Sequence, residues 1–284
     1  MGDKILKIGS ASVGLGKPVH IIAEVGINHD GDMGKAVELV RQAKTSGADS
    51  VKLQTYVTEH RVPKDHAVYG ILKQCELSHA EQKELFDLGK ELGITVFSTP
   101  FDDESVDFLE SIDTPVYKIA SFDSVNTKLL SKVSSTNKPV IMSTGMTSLD
   151  ELGLAWKALG GKDDGTGCDL LLMHCVSSYP LEDTRANLSL IPYLNSIHGG
   201  PVGYSDHTIG TKIPLLGVAA GATLIEKHFT LDVNSVGPDH AMSADPKTLT
   251  ELVEGVRWVE EVLGAREMRV RDAEKEAVGY RRPS

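Results

Sequence analysis

Two hydrophobic patterns alternate along the chain. Short, nearly continuous apolar runs occupy His20 to Val25, Ser50 to Gln54, Thr95 to Ser98, Val116 to Ala120, Val140 to Ser143, Leu170 to Cys175, Val202 to Tyr204 and Leu224 to Phe229. Runs of this kind fit strands covered on both faces, the usual environment of a parallel sheet. Between them, apolar residues recur at three- and four-residue spacing, which predicts amphipathic helices over Met33 to Ser46, Ala80 to Leu92, Ser105 to Ser111, Asn126 to Ser134, Leu149 to Leu159 and Pro246 to Leu263. Eight strand-then-helix rounds predict the α/β class and a (β/α)8 TIM barrel. Ahead of the first round, Ile5 to Gly9 and Ser10 to Val19 read as a β-hairpin with a Gly-rich turn, placed to plug the bottom of the barrel. After Leu263 the chain turns strongly charged from Arg266 to Glu276 and runs on to Ser284, which predicts an exposed helix or tail. The expected division is a barrel over 1–264 and a charged segment over 265–284. A doubly wound sheet would give the same alternation, but no GxGxxG follows the first strand.

Polar residues stand where the apolar runs stop: Glu24, Lys52, Thr99, Lys118, Ser143, His174, His207 and His228. In a (β/α)8 barrel the C-terminal strand ends converge on one mouth, so residues scattered through the chain would meet in a single pocket.

Composition narrows what that pocket serves. The 284 residues fit one barrel of about 250 residues with extensions. No apolar stretch approaches the roughly 20 residues of a membrane span, and Met1 to Lys4 lacks the apolar core of a signal peptide. Cys75, Cys168 and Cys175 form no CxxC pair, which argues against a disulfide framework or structural zinc and for a reduced, cytoplasmic setting. The net charge of −11 disfavours nucleic acid, so an anionic substrate would need a local cluster of cations and hydroxyls.

Such a cluster is available. Lys52 and Lys118 lie inside apolar runs, where an ammonium needs a reason: an anionic ligand, Schiff-base chemistry, or an ion pair with Glu24 or Asp123. Thr99, Ser121, Ser143 and Ser205 follow four different strands and suit an anion together with turn amides. His207 and His228 end the last two runs; either alone could be a loop hydrogen-bonder, whereas two on adjacent strands suggest a divalent-metal site of the Mn²⁺, Fe²⁺, Co²⁺ or Zn²⁺ type. Glu24, Asp123 and Asp239 are acid and base candidates, and His174 and Tyr179 border the sixth strand. Cys175 reads as a core residue, because neighbours on a strand face opposite ways, which argues against a Cys175–His174 nucleophile pair.

Eight of these segments, in order, resemble the signatures of the sialic acid synthase family: Ile21 to His29, Val51 to Thr55, Ser98 to Phe101, Tyr117 to Ser121, Ser143 to Met146, Gly203 to Thr208, Glu226 to Thr230 and Gly237 to His240. The resemblance covers roughly residues 5 to 264. It implies condensation of phosphoenolpyruvate with an N-acylated hexosamine to a nine-carbon 3-deoxy-ulosonic acid and phosphate, by a homodimer that needs a divalent metal, Mn²⁺ above Mg²⁺ or Co²⁺. By the same resemblance His207 and His228 ligate the metal, Lys52, Thr99, Lys118, Ser121, Ser143 and Ser205 hold phosphoenolpyruvate, and Glu24, Gln54, Tyr179 and Asp239 contact the sugar. His174 joins the substrate-binding set, and Asp123 matches an acidic position beside the reacting carbons, with Glu24 and the two lysines completing the expected catalytic group. Tyr56 to Gln74 is shorter than in some members. Lys118 to Phe122 is similar to pseudaminate synthases, while His174-Cys175 and Gly237 to Asp239 are similar to sialate or legionaminate enzymes. Family members usually continue into a small antifreeze-like domain that covers a partner's barrel; this sequence ends where the linker to it would begin.

Overall fold

The computed structural model describes residues 4–162, 167–265 and 267–282. Met1 to Asp3, Arg266, Pro283 and Ser284, which the sequence reading used at the two ends, lie outside the described residues.

The N-terminal hairpin pairs β1 (Leu6–Ile8) with β2 (Ala11–Val13) in antiparallel register. Eight parallel strands follow: β3 (His20–Gly26), β4 (Ser50–Thr55), β5 (Thr95–Pro100), β6 (Tyr117–Ile119), β7 (Val140–Ser143), β8 (Leu170–Cys175), β9 (Val202–Asp206) and β10 (Leu224–His228). They close in chain order, with β10 returning to β3, and form the expected (β/α)8 barrel. The ring outside is made of α1 (Met33–Thr45), α2 (Thr58–Arg61), α3 (Tyr69–Gln74), α4 (His79–Leu92), α5 (Asp103–Ser111), α6 (Thr127–Ser134), α7 (Leu149–Ala158), α8 (Leu190–His198), α9 (Lys212–Ala219) and α10 (Pro246–Leu263). Helix starts follow local chemistry. Ser78 and Ser148 each form a reciprocal capping box with the glutamate three residues on, and Asp245 caps α10 with Pro246 in its first turn.

Strand periodicity sorts each strand's side chains into two populations. One packs between sheet and helices in the large outer core. The other fills the barrel, where Ile22, Phe97, Val116, Ile141, Leu171, Met173 and Leu224 meet Leu6, Ile8 and Val13 of the hairpin. The hairpin thus stoppers the N-terminal end; the lumen is mainly apolar there, apart from the buried His20–Ser50 pair at 2.9 Å, and turns charged toward the C-terminal mouth. The segment after α10 is exposed and holds two short 3-10 turns, Asp272–Glu274 and Ala277–Tyr280, rather than a long charged helix.

Candidate active site at the barrel mouth

Above the apolar floor the inward positions of the strands are Glu24, Lys52, Gln54, Thr99, Lys118, Ser143, Cys175, Ser205, Glu226 and His228, with Ser121 and His207 just past the ends of β6 and β9. Register explains the clustering: Glu24 lies opposite Lys52 on one side and His228 on the other, and Glu226 lies opposite Ser205. At Glu24 to Gly26 the pairing of β3 with β4 slips, and Gly26 adopts φ +55°. A Cβ there would stand 3.3 Å from Glu24 Oε1, 3.4 Å from Gln54 Nε2 and 3.7 Å from Asp239 Oδ2, so the glycine lets these three side chains converge. Across the mouth, a Cβ on Gly145 would come within 2.8 Å of Ser177 Oγ, Cys175 Sγ and Ser121 Oγ, and the Gly145 amide donates to Ser121 Oγ at 3.0 Å.

The centre of the recess is a four-charge cluster taken out of water. Lys52 Nζ lies 3.2 Å from Glu24 Oε2 and 3.2 Å from Glu226 Oε2. Lys118 Nζ is 3.5 Å from Glu226 Oε1 and donates to Ser143 Oγ at 2.7 Å, while Ser205 Oγ donates to Glu226 Oε1 at 3.0 Å. Burial pushes Glu24 up to about 7, only partly countered by Lys52. Burial acts on Glu226 in the same sense, yet Lys118 and Lys52 together hold it down at about 2. Lys118 is lowered by burial to about 8, whereas for Lys52 the two glutamates outweigh burial and raise it. Near pH 7 the cluster therefore carries two ammoniums against one full and one fractional carboxylate, a net positive recess inside an acidic protein. The cluster is also unfinished. Thr99 Oγ1, Ser177 Oγ and His228 Nδ1 are buried without hydrogen-bond partners, and Glu24 Oε2 and Glu226 Oε2 rest on the Lys52 ion pair alone. Buried polar atoms are seldom left so, and several around one recess mark a place built for a polar ligand.

The two imidazoles stand beside it, ring centroids 5.7 Å apart. His207 Nδ1 meets the Val176 carbonyl at 2.8 Å, which fixes the proton on Nδ1 and leaves Nε2 with a free lone pair. Burial lowers His207 to about 4 and His228 to about 3, so both are neutral. His228 Nδ1 is 3.7 Å from Asp239 Oδ2, and Tyr179 lies over His207 at 4.2 Å. Among the described residues no group of three or more His, Cys, Asp and Glu is arranged to hold a metal alone. The donor set fits a divalent metal bound by two neutral imidazoles, with its other positions open to substrate oxygen, water or Asp239.

Of the sequence-predicted residues, Glu24, Lys52, Gln54, Thr99, Lys118, Ser121, Ser143, Ser205, His207 and His228 meet in this recess. Asp123, Tyr179 and Asp239 sit at its rim, with Asp123 and Asp239 raised by burial. His174 does not join them. It is paired with Tyr204 in the ladder and faces the outer layer, stacked on that ring at 5.6 Å with Nε2 against the Ala186 carbonyl at 2.7 Å. Its neighbour Cys175 takes the inward position instead, 3.0 Å from Ser121 Oγ. Sequence reasoning passed over two residues. Glu226 was visible two positions before His228, hence on the same strand face. Arg61, on α2, carried no strand-end signal; its guanidinium lies 3.6 Å from the Phe101 ring centre and donates to Gln54 Oε1 at 3.1 Å.

Comparison with known proteins agrees with the barrel fold. An uncharacterised protein of Methanocaldococcus jannaschii is 46% identical over 274 residues, 96% of this chain and 80% of its own. The N,N'-diacetyllegionaminic acid synthase of Legionella pneumophila is 40% identical over 269 residues, 89% of this chain and 76% of its own. The crystal structure of an N-acetylneuraminic acid (sialic acid) synthetase from Leptospira borgpetersenii in complex with citrate superposes with a TM-score of 0.93 at 35% identity, covering 98% of this chain and 96% of that one. Residues 39–268 match the NeuB family, and with relatives of this likeness the chain belongs to that family, which includes the sialic acid synthases.

Proposed function

We propose that the barrel condenses phosphoenolpyruvate with the open-chain aldehyde of an N-acylated hexosamine, N-acetylmannosamine or a 2,4-diacetamido relative, giving a nine-carbon 3-deoxy-ulosonic acid and phosphate. The observation that carries this reading is the unfinished cationic recess: Lys52 and Lys118, with the hydroxyls of Thr99, Ser121, Ser143 and Ser205, beside two neutral imidazoles. Lys52 and Lys118 neutralise the phosphate and carboxylate of the enolpyruvate, and the hydroxyls complete their hydrogen bonding. A divalent metal held by His207 and His228, Mn²⁺ ahead of Mg²⁺ or Co²⁺, would supply Lewis acidity at the aldehyde oxygen. Gln54, Tyr179 and Asp239 orient the sugar over the recess. Attack by C3 of the enolpyruvate on the aldehyde carbon leaves C2 electron-poor; Glu24, with Asp123 at the rim, stabilises that charge and takes a proton from the water that adds there. Collapse of the adduct breaks the C2–O bond and releases phosphate.

Phosphate release from phosphoenolpyruvate, assayed with metal and a panel of N-acylated hexosamines, tests the reaction. Bridging ¹⁸O in phosphoenolpyruvate is expected to leave with phosphate; label retained in the sugar acid would mean attack at phosphorus and would overturn the C–O route. A second reading has one observation in its favour: burial brings Lys118 down to about 8, toward the range of Schiff-base lysines. Borohydride in the presence of pyruvate would then trap a covalent adduct at Lys118, and the condensation reading expects none.

A further inference from the structure

Arg61 stands at the rim of the mouth in a setting unlike that of the arginines engaged elsewhere on the barrel. Arg257 pairs with Asp49 and Glu260, Arg185 with Glu182 and Arg269 with Glu267, and Arg271 donates to the main chain. Arg61 has no carboxylate partner among the described residues. It is half-buried, its guanidinium laid over Phe101 at 3.6 Å and near Tyr56 at 4.8 Å, with one donor used on Gln54 Oε1 at 3.1 Å. The two rings form an edge-on pair of their own, 6.1 Å apart, so the platform is rigid. Gln54 in turn donates to Glu24 at 3.3 Å, and Glu24 pairs with Lys52. A polar chain therefore runs from the floor of the recess through Glu24 and Gln54 to Arg61.

Electrostatics place the guanidinium on the sugar side of that chain. The carboxylates that act on its charge are Asp123 and Asp239 at the rim and, more weakly, Glu24 beside Lys52 in the recess. A free anion brought to Arg61 would face those three carboxylates, whereas an uncharged oxygen would not be repelled. Held by stacking and by Gln54, the guanidinium keeps its other donors pre-oriented as a planar fork.

We propose that Arg61 is a substrate-binding, specificity-determining residue whose guanidinium fork binds an uncharged oxygen of the acceptor sugar, an amide carbonyl or hydroxyl, at the rim. This rests on the condensation proposed above.

The test uses Arg61→Ala and Arg61→Lys in the full chain, with the N-acylated hexosamine that supports phosphate release by the wild type. Loss of charge-assisted hydrogen bonds is expected to raise KM for the sugar about tenfold or more in both variants. KM for phosphoenolpyruvate should stay within about twofold, as uniform sugar binding alone is lost. Unchanged thermal midpoints would show that the effect is not on the fold. An unchanged sugar KM in Arg61→Ala, full restoration by lysine, or an equal rise in KM for phosphoenolpyruvate would each overturn the assignment while leaving the reaction standing. Absence of phosphate release by the wild type with every sugar would instead overturn the reaction, and this inference with it.

Discussion

Two buried lysine networks occupy opposite faces of the barrel sheet and meet at β9 and β10, and they are built to different ends. On the outer face, Lys227 of β10 lies opposite Asp206 of β9 and pairs with it at 2.7 Å, while also donating to the Thr208 carbonyl. Asp206 is finished on every side by the Tyr204 hydroxyl, the Thr208 amide and the Thr208 hydroxyl, at 2.9 to 3.1 Å. One position along, on the inner face, Glu226 shares Lys52 and Lys118 at 3.2 and 3.5 Å, and around them Thr99 Oγ1, Ser177 Oγ and His228 Nδ1 are left without a hydrogen bond. Both networks are out of water. The outer one is closed and fixes the register of the strands that carry His207 and His228; the inner one is open and holds its charges for something else. Burial of a lysine alone therefore says little about function, whereas the completeness of its hydrogen bonding separates the two cases.

The largest effect expected from this contrast is a crossing of phenotypes. Lys52→Met or Lys118→Met should lower phosphate release by about a thousandfold or more, because the recess loses the charge that stabilises its anion. Stability should fall less than in the outer network, since Glu226 keeps one lysine when the other is removed and Glu24 can take up a proton. Lys227→Met should do the reverse, costing about 3–5 kcal/mol by stranding Asp206, and the double variant Asp206→Asn with Lys227→Met should recover much of that loss. Urea denaturation and phosphate release on the same preparations check both halves; comparable destabilisation by the inner and outer substitutions would break the comparison.

His207→Ala combined with His228→Ala sharpens it. The histidines sit between the networks, neutral and carrying a lone pair or an orphan nitrogen, so the double variant is expected to keep its fold and lose bound Mn²⁺ entirely. Equilibrium dialysis reads this without any assay of turnover, and retained stoichiometric Mn²⁺ would sink the assignment.

The pH dependence should be milder and should belong to the inner network alone. Glu24 must be ionised to take a proton, and Lys118 must be protonated to hold the anion. kcat/KM reports the free enzyme, so it should rise as pH climbs through about 7 and fall as pH passes about 8. Because the four charges interact, these limbs belong to the cluster. Lys118→Arg, permanently charged, should abolish the falling limb, and Glu24→Gln the rising one. A flat profile in the wild type would mean that the cluster does not titrate during the reaction.

Much of the barrel was legible because its signals are local. Strand runs, capping residues and the polar strand ends are each read from a few adjacent positions, and Lys52, Ser143 and His228 could be placed at the mouth that way. The hairpin plug was legible too, since nothing else explains apolar residues ahead of the first strand. Less local features were not. α9 is apolar nearly all round and gives no amphipathic stripe, and α2 is a single turn set by packing rather than by periodicity. Arg61 depends on that turn, and its role emerges only when Phe101, from the loop after β5, comes under it. Glu226 needed strand parity, which the sequence offered through His228.

His174 marks where strand-end position and strand parity disagree, and it gives the smallest and most exposed prediction. Position alone puts it at the mouth; parity gives the lumen to Cys175 and turns His174 outward, onto Tyr204 and the Ala186 carbonyl. Its ring is held neutral by burial, and its Nδ1 has no hydrogen-bond partner, so it has no route to the recess. His174→Gln, which can keep a donor for Ala186, should change both KM values and kcat by less than about threefold and cost about 1 kcal/mol, the worth of an ordinary hydrogen bond and a stacked contact. Cys175→Val, by contrast, thrusts a branched side chain toward Ser121 and Gly145 and should raise KM for phosphoenolpyruvate with little change in stability. If the glutamine variant instead loses substrate affinity while Cys175→Val does not, the facing of β8 is inverted and the inner and outer networks would have to be reassigned with it.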